Sequence, residues 1–110
     1  MSIADLIPDA DALLALEPEE VAGIVLQFLA SRGPGAQELN RYNFGLSHTV
    51  QGYPQDKQEA ASRALMEAWV WLEREGLLAP RPGDSGNWVF ITRRGERIAS
   101  PEKLKAYRHA

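Results

Sequence analysis

The chain has 110 residues, the length of a single domain. Charged residues make up 25% and hydrophobic residues 45%, as in an ordinary globular protein, and without cysteine the chain forms neither a disulfide nor a thiolate metal site. It contains neither a signal-peptide pattern nor a run of about 20 apolar residues, so we expect a cytoplasmic protein that contacts no membrane.

The net charge of −3 is divided unevenly along the chain. Residues 1–76 carry five Lys and Arg against twelve Asp and Glu, whereas residues 77–110 carry seven against three. The corresponding net charges are −7 and +4. A surface that attracts phosphate therefore lies mostly in the C-terminal third, unless the segregation arises by chance in a short chain.

The first half of the chain is predicted to be mostly helical. Pro8–Asp11 predicts the start of a short helix, and Pro18 begins a longer one that Gly33–Gly35 ends. Its apolar residues recur at i, i+3, i+4, i+7 and i+8, namely Val21, Ile24, Val25, Phe28 and Leu29. A weaker helix is predicted over 36–42 and a loop or irregular turn over 43–55, where glycine and proline recur.

A third major helix is predicted from Asp56 to Glu75, with Asp56 as its N-cap and Glu59 completing a capping box. With the first long helix and the hairpin that follows, it should form the core. The residues expected to be buried are Val25, Phe28, Leu29, Leu65, Ala68, Leu72 and either Phe90 or Val89.

The end of the chain predicts a hairpin and two short helices. Strands are expected at 77–80 and 88–92, joined by the turn-forming residues 81–87. Thr92 should cap a helix that continues through Ala99, and Ser100 should cap another that begins at Pro101. The predicted fold class is mostly α with a small antiparallel hairpin, in the order of a winged helix-turn-helix.

This order indicates two places for nucleic-acid contact. One is the start of the third helix and the other is the hairpin with the helix after it. The candidate residues are Lys57, Gln58, Ser62 and Arg63 on the helix, and Arg81, Arg93, Arg94 and Arg97 on or after the hairpin. The alternative for all eight is an ordinary solvated surface, which Asp56 and Glu59 favour at the helix.

The segment LEREGLL, followed by a turn and WVFITRRGERI, resembles the helix end and wing of bacterial winged-helix proteins. Together, ALMEAWVWLEREGLLAPRPGDSGNWVFITRRG and LEPEEVA are similar to the N-terminal region of the Ymh-type conserved hypothetical proteins of bacteria. The resemblance implies a winged-helix domain over residues 1–100. It also implies that residues 101–110, which include EKLKAYRHA, are a C-terminal helix or a connector to a second domain.

The third helix also carries a candidate interaction surface. Trp71 is expected on one flank, with Met66 and Val70 facing away from the core, and a helix that is apolar around most of its circumference is normally covered on more than one side. Either the hairpin and C-terminal helices cover these side chains, or a partner does. The partner would be a second copy of the chain or a C-terminal domain.

Catalytic chemistry is not indicated. His48 and His109 are the only histidines, and the acidic residues fall at helix starts without metal-ligand spacing. We therefore expect no enzyme, no cofactor and no metal. The sequence favours a nucleic-acid-binding or regulatory module with double-stranded DNA as its partner. The alternative is the same fold used for protein contact.

Overall fold

The computed structural model describes residues 2–109. It contains α1 (Ile3–Leu6), α2 (Ala10–Leu14), α3 (Pro18–Arg32), α4 (Arg41–Phe44), α5 (Gln58–Arg74), β1 (Leu78–Pro80), β2 (Val89–Ile91), α6 (Arg93–Arg97) and α7 (Pro101–Arg108). Single 3₁₀ turns lie at Gln37–Leu39, Ser47–Val50 and Gln55–Lys57. The chain is thus mostly α-helical with one two-stranded antiparallel sheet, which confirms the coarse fold class.

Helix α3 has the predicted bounds. Its first turn has Pro18 at the first helical position, and the Glu20 carboxylate accepts a hydrogen bond from the Glu17 backbone N–H at 2.9 Å. Gly33 ends the helix. Asp9 caps the predicted short helix α2 through the backbone N–H of Asp11, so that prediction is also confirmed.

The weak helix predicted over 36–42 is wrong in its bounds. A 3₁₀ turn and the short helix α4 replace it, because the Asn40 side chain accepts a hydrogen bond from the Asn43 N–H at 3.0 Å and caps a new helix. The loop or irregular turn predicted over 43–55 begins two residues too early, because α4 continues through Phe44, and it contains the 3₁₀ turn at Ser47–Val50. The Thr49 hydroxyl donates to the Phe44 carbonyl at 2.8 Å, and this contact holds a turn in which Thr49 and Val50 are buried.

Helix α5 begins at Gln58, so the prediction that Asp56 caps it with Glu59 is wrong. A 3₁₀ turn precedes the helix and contains Asp56, and no side chain caps the first turn. The far end agrees with the prediction to within one residue, with the helix ending at Arg74.

The core lies between α3 and α5. All six helix residues predicted to be buried are buried, namely Val25, Phe28, Leu29, Leu65, Ala68 and Leu72. Phe44 of α4 packs between Phe28 and Trp69, with ring centroids 6.3 and 4.9 Å apart. These tilted aromatic contacts fix α4 against both long helices.

The hairpin pairs Leu78 with Ile91 and Pro80 with Val89. Val89 is buried and Phe90 is 42% exposed, which decides between the two predicted alternatives. Both strands are shorter than predicted. Trp88 lies outside β2 and forms an isolated antiparallel bridge with Asn40.

The two C-terminal helices begin at their predicted caps, Thr92 and Ser100. Helix α6 ends at Arg97, two residues before the prediction. Helix α7 packs on α3, where Leu104 is buried and Arg108 lies 3.7 Å from Glu19. Residues 101–108 therefore share the core of the preceding elements, and a connection to a second domain stays a prediction. Within residues 2–109, no helix combines the length and apolar character needed to cross a membrane.

Candidate nucleic-acid interface

The start of α5 carries a lysine that is already paired. The Lys57 ammonium lies 3.1 Å from the Asp11 carboxylate of α2. This hydrogen bond and the charge of Asp11 raise the pKa of Lys57. The charges of Asp56 and Asp9 raise the pKa of Lys57 further. This end of the helix therefore has one base, Lys57, among three acids.

The other predicted residues on this helix are also engaged or neutralised. The Gln58 amide donates to the Tyr53 carbonyl at 2.9 Å, and Arg63 lies 3.4 Å from Glu59 one turn earlier. Ser62 is half-buried beside an apolar groove. The helix start therefore offers no uncompensated positive charge.

The hairpin presents a different setting. Arg81 follows β1 directly and is exposed, with its guanidinium 5.7 Å from the centre of the Trp88 ring. A cation in this position is attracted by the face of the ring and keeps its donors free for another group. Gly83 and Gly86 have φ angles of 76° and 101°, which let the loop between the strands turn tightly.

Helix α6 holds three more exposed arginines, Arg93, Arg94 and Arg97. Its position is fixed by Thr92, whose hydroxyl donates to the Gly76 carbonyl at 2.8 Å and accepts from the Gly95 N–H at 3.1 Å. A β-carbon at Gly95 would lie 2.5 Å from the Leu77 carbonyl oxygen, so only glycine allows this close approach.

The four arginines of the hairpin and α6 make no ion pair within residues 2–109. The ion pairs there join Arg32 with Glu38, Lys57 with Asp11, Arg63 with Glu59 and Arg108 with Glu19. Arg94 makes one long hydrogen bond, 3.4 Å, to the Tyr107 hydroxyl. The structure thus separates the predicted site residues into a compensated set on α5 and an uncompensated set after it.

Sequence reasoning missed Arg41. Its backbone N–H donates to the Asn87 carbonyl at 2.7 Å, beside the bridge between Asn40 and Trp88. This contact brings an exposed arginine of α4 next to the hairpin loop. No local pattern signals it, because the two segments are far apart in the chain.

The predicted interaction residues Met66, Val70 and Trp71 do lie together. They line an open groove of about 680 Å³ on the outer face of α5, with Pro18, Ser62, Arg63, Glu67 and Arg74. The expectation that Met66 faces away from the core is wrong, since Met66 and Trp71 are half-buried and pack partly on it. Val70 is 37% exposed, as its predicted outward position requires.

No metal-binding cluster accompanies these surfaces in the part of the chain that is described. His48 and His109 are exposed on separate elements. Across residues 2–109, no three histidine, aspartate or glutamate side chains come together in a way that would hold a metal ion.

Comparison with known proteins finds no family model, no curated protein and no solved structure that matches this chain.

Proposed function

We propose that this domain is a winged-helix module that binds double-stranded nucleic acid through its phosphate backbone, using the hairpin and α6. The observation that carries the proposal is the contrast in charge pairing. Arg81, Arg93, Arg94 and Arg97 are exposed and make no ion pair within residues 2–109, whereas Lys57 and Arg63 are each paired with an acid.

The order of the elements supports the winged-helix part of the proposal. Three helices, α3, α4 and α5, precede a hairpin, and the bridge between Asn40 and Trp88 adds a residue to the hairpin edge from the segment between α3 and α4. In winged-helix proteins a basic hairpin of this kind lies along the phosphate backbone while a helix approaches the major groove.

The spacing of the arginines suits a run of phosphates. Arg81 lies level with Trp88 at one end of the hairpin, since its N–H donates to the Trp88 carbonyl, and α6 begins after Thr92 at the other end. Four strand residues span about 13 Å. This distance corresponds to about four steps along the axis of one DNA strand.

The outer face of α5 argues against deep insertion into the major groove. Glu59 and Glu67 are exposed there, beside the apolar side chains of Met66 and Val70. Carboxylates that face phosphates repel them and weaken binding. Few hydrogen-bond donors remain on this face to read base edges. Binding should therefore depend on shape and charge, with little sequence preference.

The chain's uneven charge supports the same orientation. The segment from residue 77 onward carries a net +4, although Asp84 and Glu96 are both exposed within it. The remainder is acidic and would be held away from the duplex. The resemblance to the N-terminal region of Ymh-type proteins supports a role in bringing a further domain to nucleic acid.

The test is a titration of the chain against a mixed-sequence duplex at about 50 mM and about 200 mM salt. Three to four phosphate contacts predict a slope of about −3 in log K against log salt, and thus a loss of affinity of about 60-fold between the two conditions. Similar affinity for unrelated sequences is also expected. No binding at the lower salt concentration contradicts the proposal.

A further inference from the structure

The outer face of α5 is complementary to itself. Val70 and Trp71 lie at its centre, with Glu67 one turn before them and Arg74 one turn after. Glu67 and Arg74 are seven residues apart, which is about 10 Å along the helix axis. An acid and a base thus stand on opposite sides of an apolar centre.

These side chains are available to a partner. Val70 is 37% exposed, Met66 and Trp71 are half-buried, and the groove between them is open. Glu67 and Arg74 are both exposed, and neither makes an ion pair within residues 2–109. Helix α7 packs on α3 and does not line this groove.

We propose that a second copy of this chain occupies the groove, with the two α5 helices antiparallel. In a two-fold dimer the same patch meets itself, so each side chain must face its own complement. An axis midway between Val70 and Trp71 stacks these apolar residues on one another. It also places Glu67 opposite the partner's Arg74, and Arg74 opposite the partner's Glu67.

The charges select this register over its neighbour. If the axis moves about half a turn toward the start of α5, Met66 faces the partner's Trp71, but Arg63 then faces the partner's Arg74. That register creates two contacts between like charges, which are unfavourable. The register centred on Val70 and Trp71 therefore joins the apolar residues and the two ion pairs at once.

The dimer does not depend on nucleic-acid binding, because it uses none of the arginines of the hairpin or α6. The centre of the groove is apolar, with Met66, Val70 and Trp71 along it, and an apolar surface favours a protein occupant over a phosphate backbone.

The test is sedimentation equilibrium of the chain and of charge-reversed variants. Glu67→Arg and Arg74→Glu each turn two attractions into two repulsions and should weaken dimerisation by at least about tenfold. The double variant restores both pairs across the interface and should recover the parent's affinity. Glu102→Arg makes the same charge change as Glu67→Arg, but on an exposed residue of α7, and should leave dimerisation unchanged.

The rescue distinguishes this interface from a general charge effect, since residues 67 and 74 are too far apart to pair within one helix. Circular dichroism verifies that each variant is folded. A parent that stays monomeric at about 1 mM, where even weak dimers form, overturns the proposal and leaves the groove to a different occupant. A double variant as weak as the single ones overturns the register.

Discussion

The start of α5 and the hairpin with α6 carry similar side chains in opposite settings. Lys57 and Arg63 are held by Asp11 and Glu59, whereas the arginines after the hairpin have no acidic partner within residues 2–109. A count of basic residues would rank the two regions as similar. Their ion pairs distinguish the two regions. A basic side chain that already has an acidic partner must give up that partner before it binds a phosphate, and therefore gains little affinity.

Both regions pack on the same core, so a cavity beneath α5 should affect both of them. Leu65 is 1% exposed, and Leu65→Ala should lower the free energy of unfolding by about 2–5 kcal/mol. Val70→Ala on the outer face of the same helix serves as the control, at protein concentrations low enough to keep the chain monomeric, with an expected change below about 0.5 kcal/mol. Urea unfolding measures both. A loss below about 1 kcal/mol for Leu65→Ala would mean that this face of α5 does not carry the core.

Tyr53 links the segment between α1 and α2 to the start of α5, because it contacts both Ile7 and Gln58. The contact with Ile7 should break at high pH. The Tyr53 hydroxyl donates to the Ile7 carbonyl at 2.8 Å, and burial raises the pKa of Tyr53 to about 12 from its ordinary value of 10.0. Because the folded-state pKa is raised, the stabilisation is complete below pH 10 and is lost as the pH rises through about 12. The loss should reach about 2–3 kcal/mol.

Urea unfolding between about pH 9 and about pH 12 tests this. The range runs from below the ordinary pKa of tyrosine to the raised pKa of Tyr53. Tyr53→Phe should lower stability at neutral pH by about 1 kcal/mol through the lost hydrogen bond, and should remove this part of the alkaline slope. Tyr42→Phe changes a tyrosine that is 70% exposed and should retain the parent's slope. If Tyr53→Phe keeps the parent's slope, burial of Tyr53 does not control it.

Asp11→Asn releases Lys57 from its ion-pair partner. The pKa of Lys57 should fall toward its ordinary value, because the hydrogen bond to Asp11 is the largest cause of its rise. Affinity for duplex DNA should rise by no more than about threefold, as is typical of one exposed charge. An NMR titration of the lysine side chains and the duplex titration measure the two effects. An increase above about tenfold would place the start of α5 at the nucleic acid.

Some of the fold could be predicted from the sequence because local signals determine it. Pro18 and Gly33 set the ends of α3, and Thr92 and Ser100 cap the helices that follow them. The predicted start of α5 was wrong because aspartate is a common N-cap residue, whereas Asp56 lies inside a 3₁₀ turn. Strand alternation alone could not decide whether Val89 or Phe90 is buried, since that depends on which face of the hairpin meets the core.

The residues of the candidate site other than Arg41 could be predicted from the sequence, but their ion pairs could not. The arginines of α6 follow a recognisable helix cap, so their exposure could be anticipated. The pairing of Lys57 with Asp11 spans 46 positions, and the contact of Arg41 with Asn87 spans another 46. Contacts at such separation depend on how the helices pack, which local patterns do not record.

The proposed function requires that the uncompensated arginines, and not the paired cations at the start of α5, bind the phosphate backbone. Duplex affinity measured across a salt series for two matched double variants tests it most directly. Arg93→Ala with Arg94→Ala should lower affinity by about 10- to 100-fold at low salt and reduce the salt slope by about 2, equally for all sequences. Lys57→Ala with Arg63→Ala should stay within about threefold of the parent. Binding by the first variant as tight as the parent's, or a larger loss of affinity in the second variant than in the first, would contradict the proposed function.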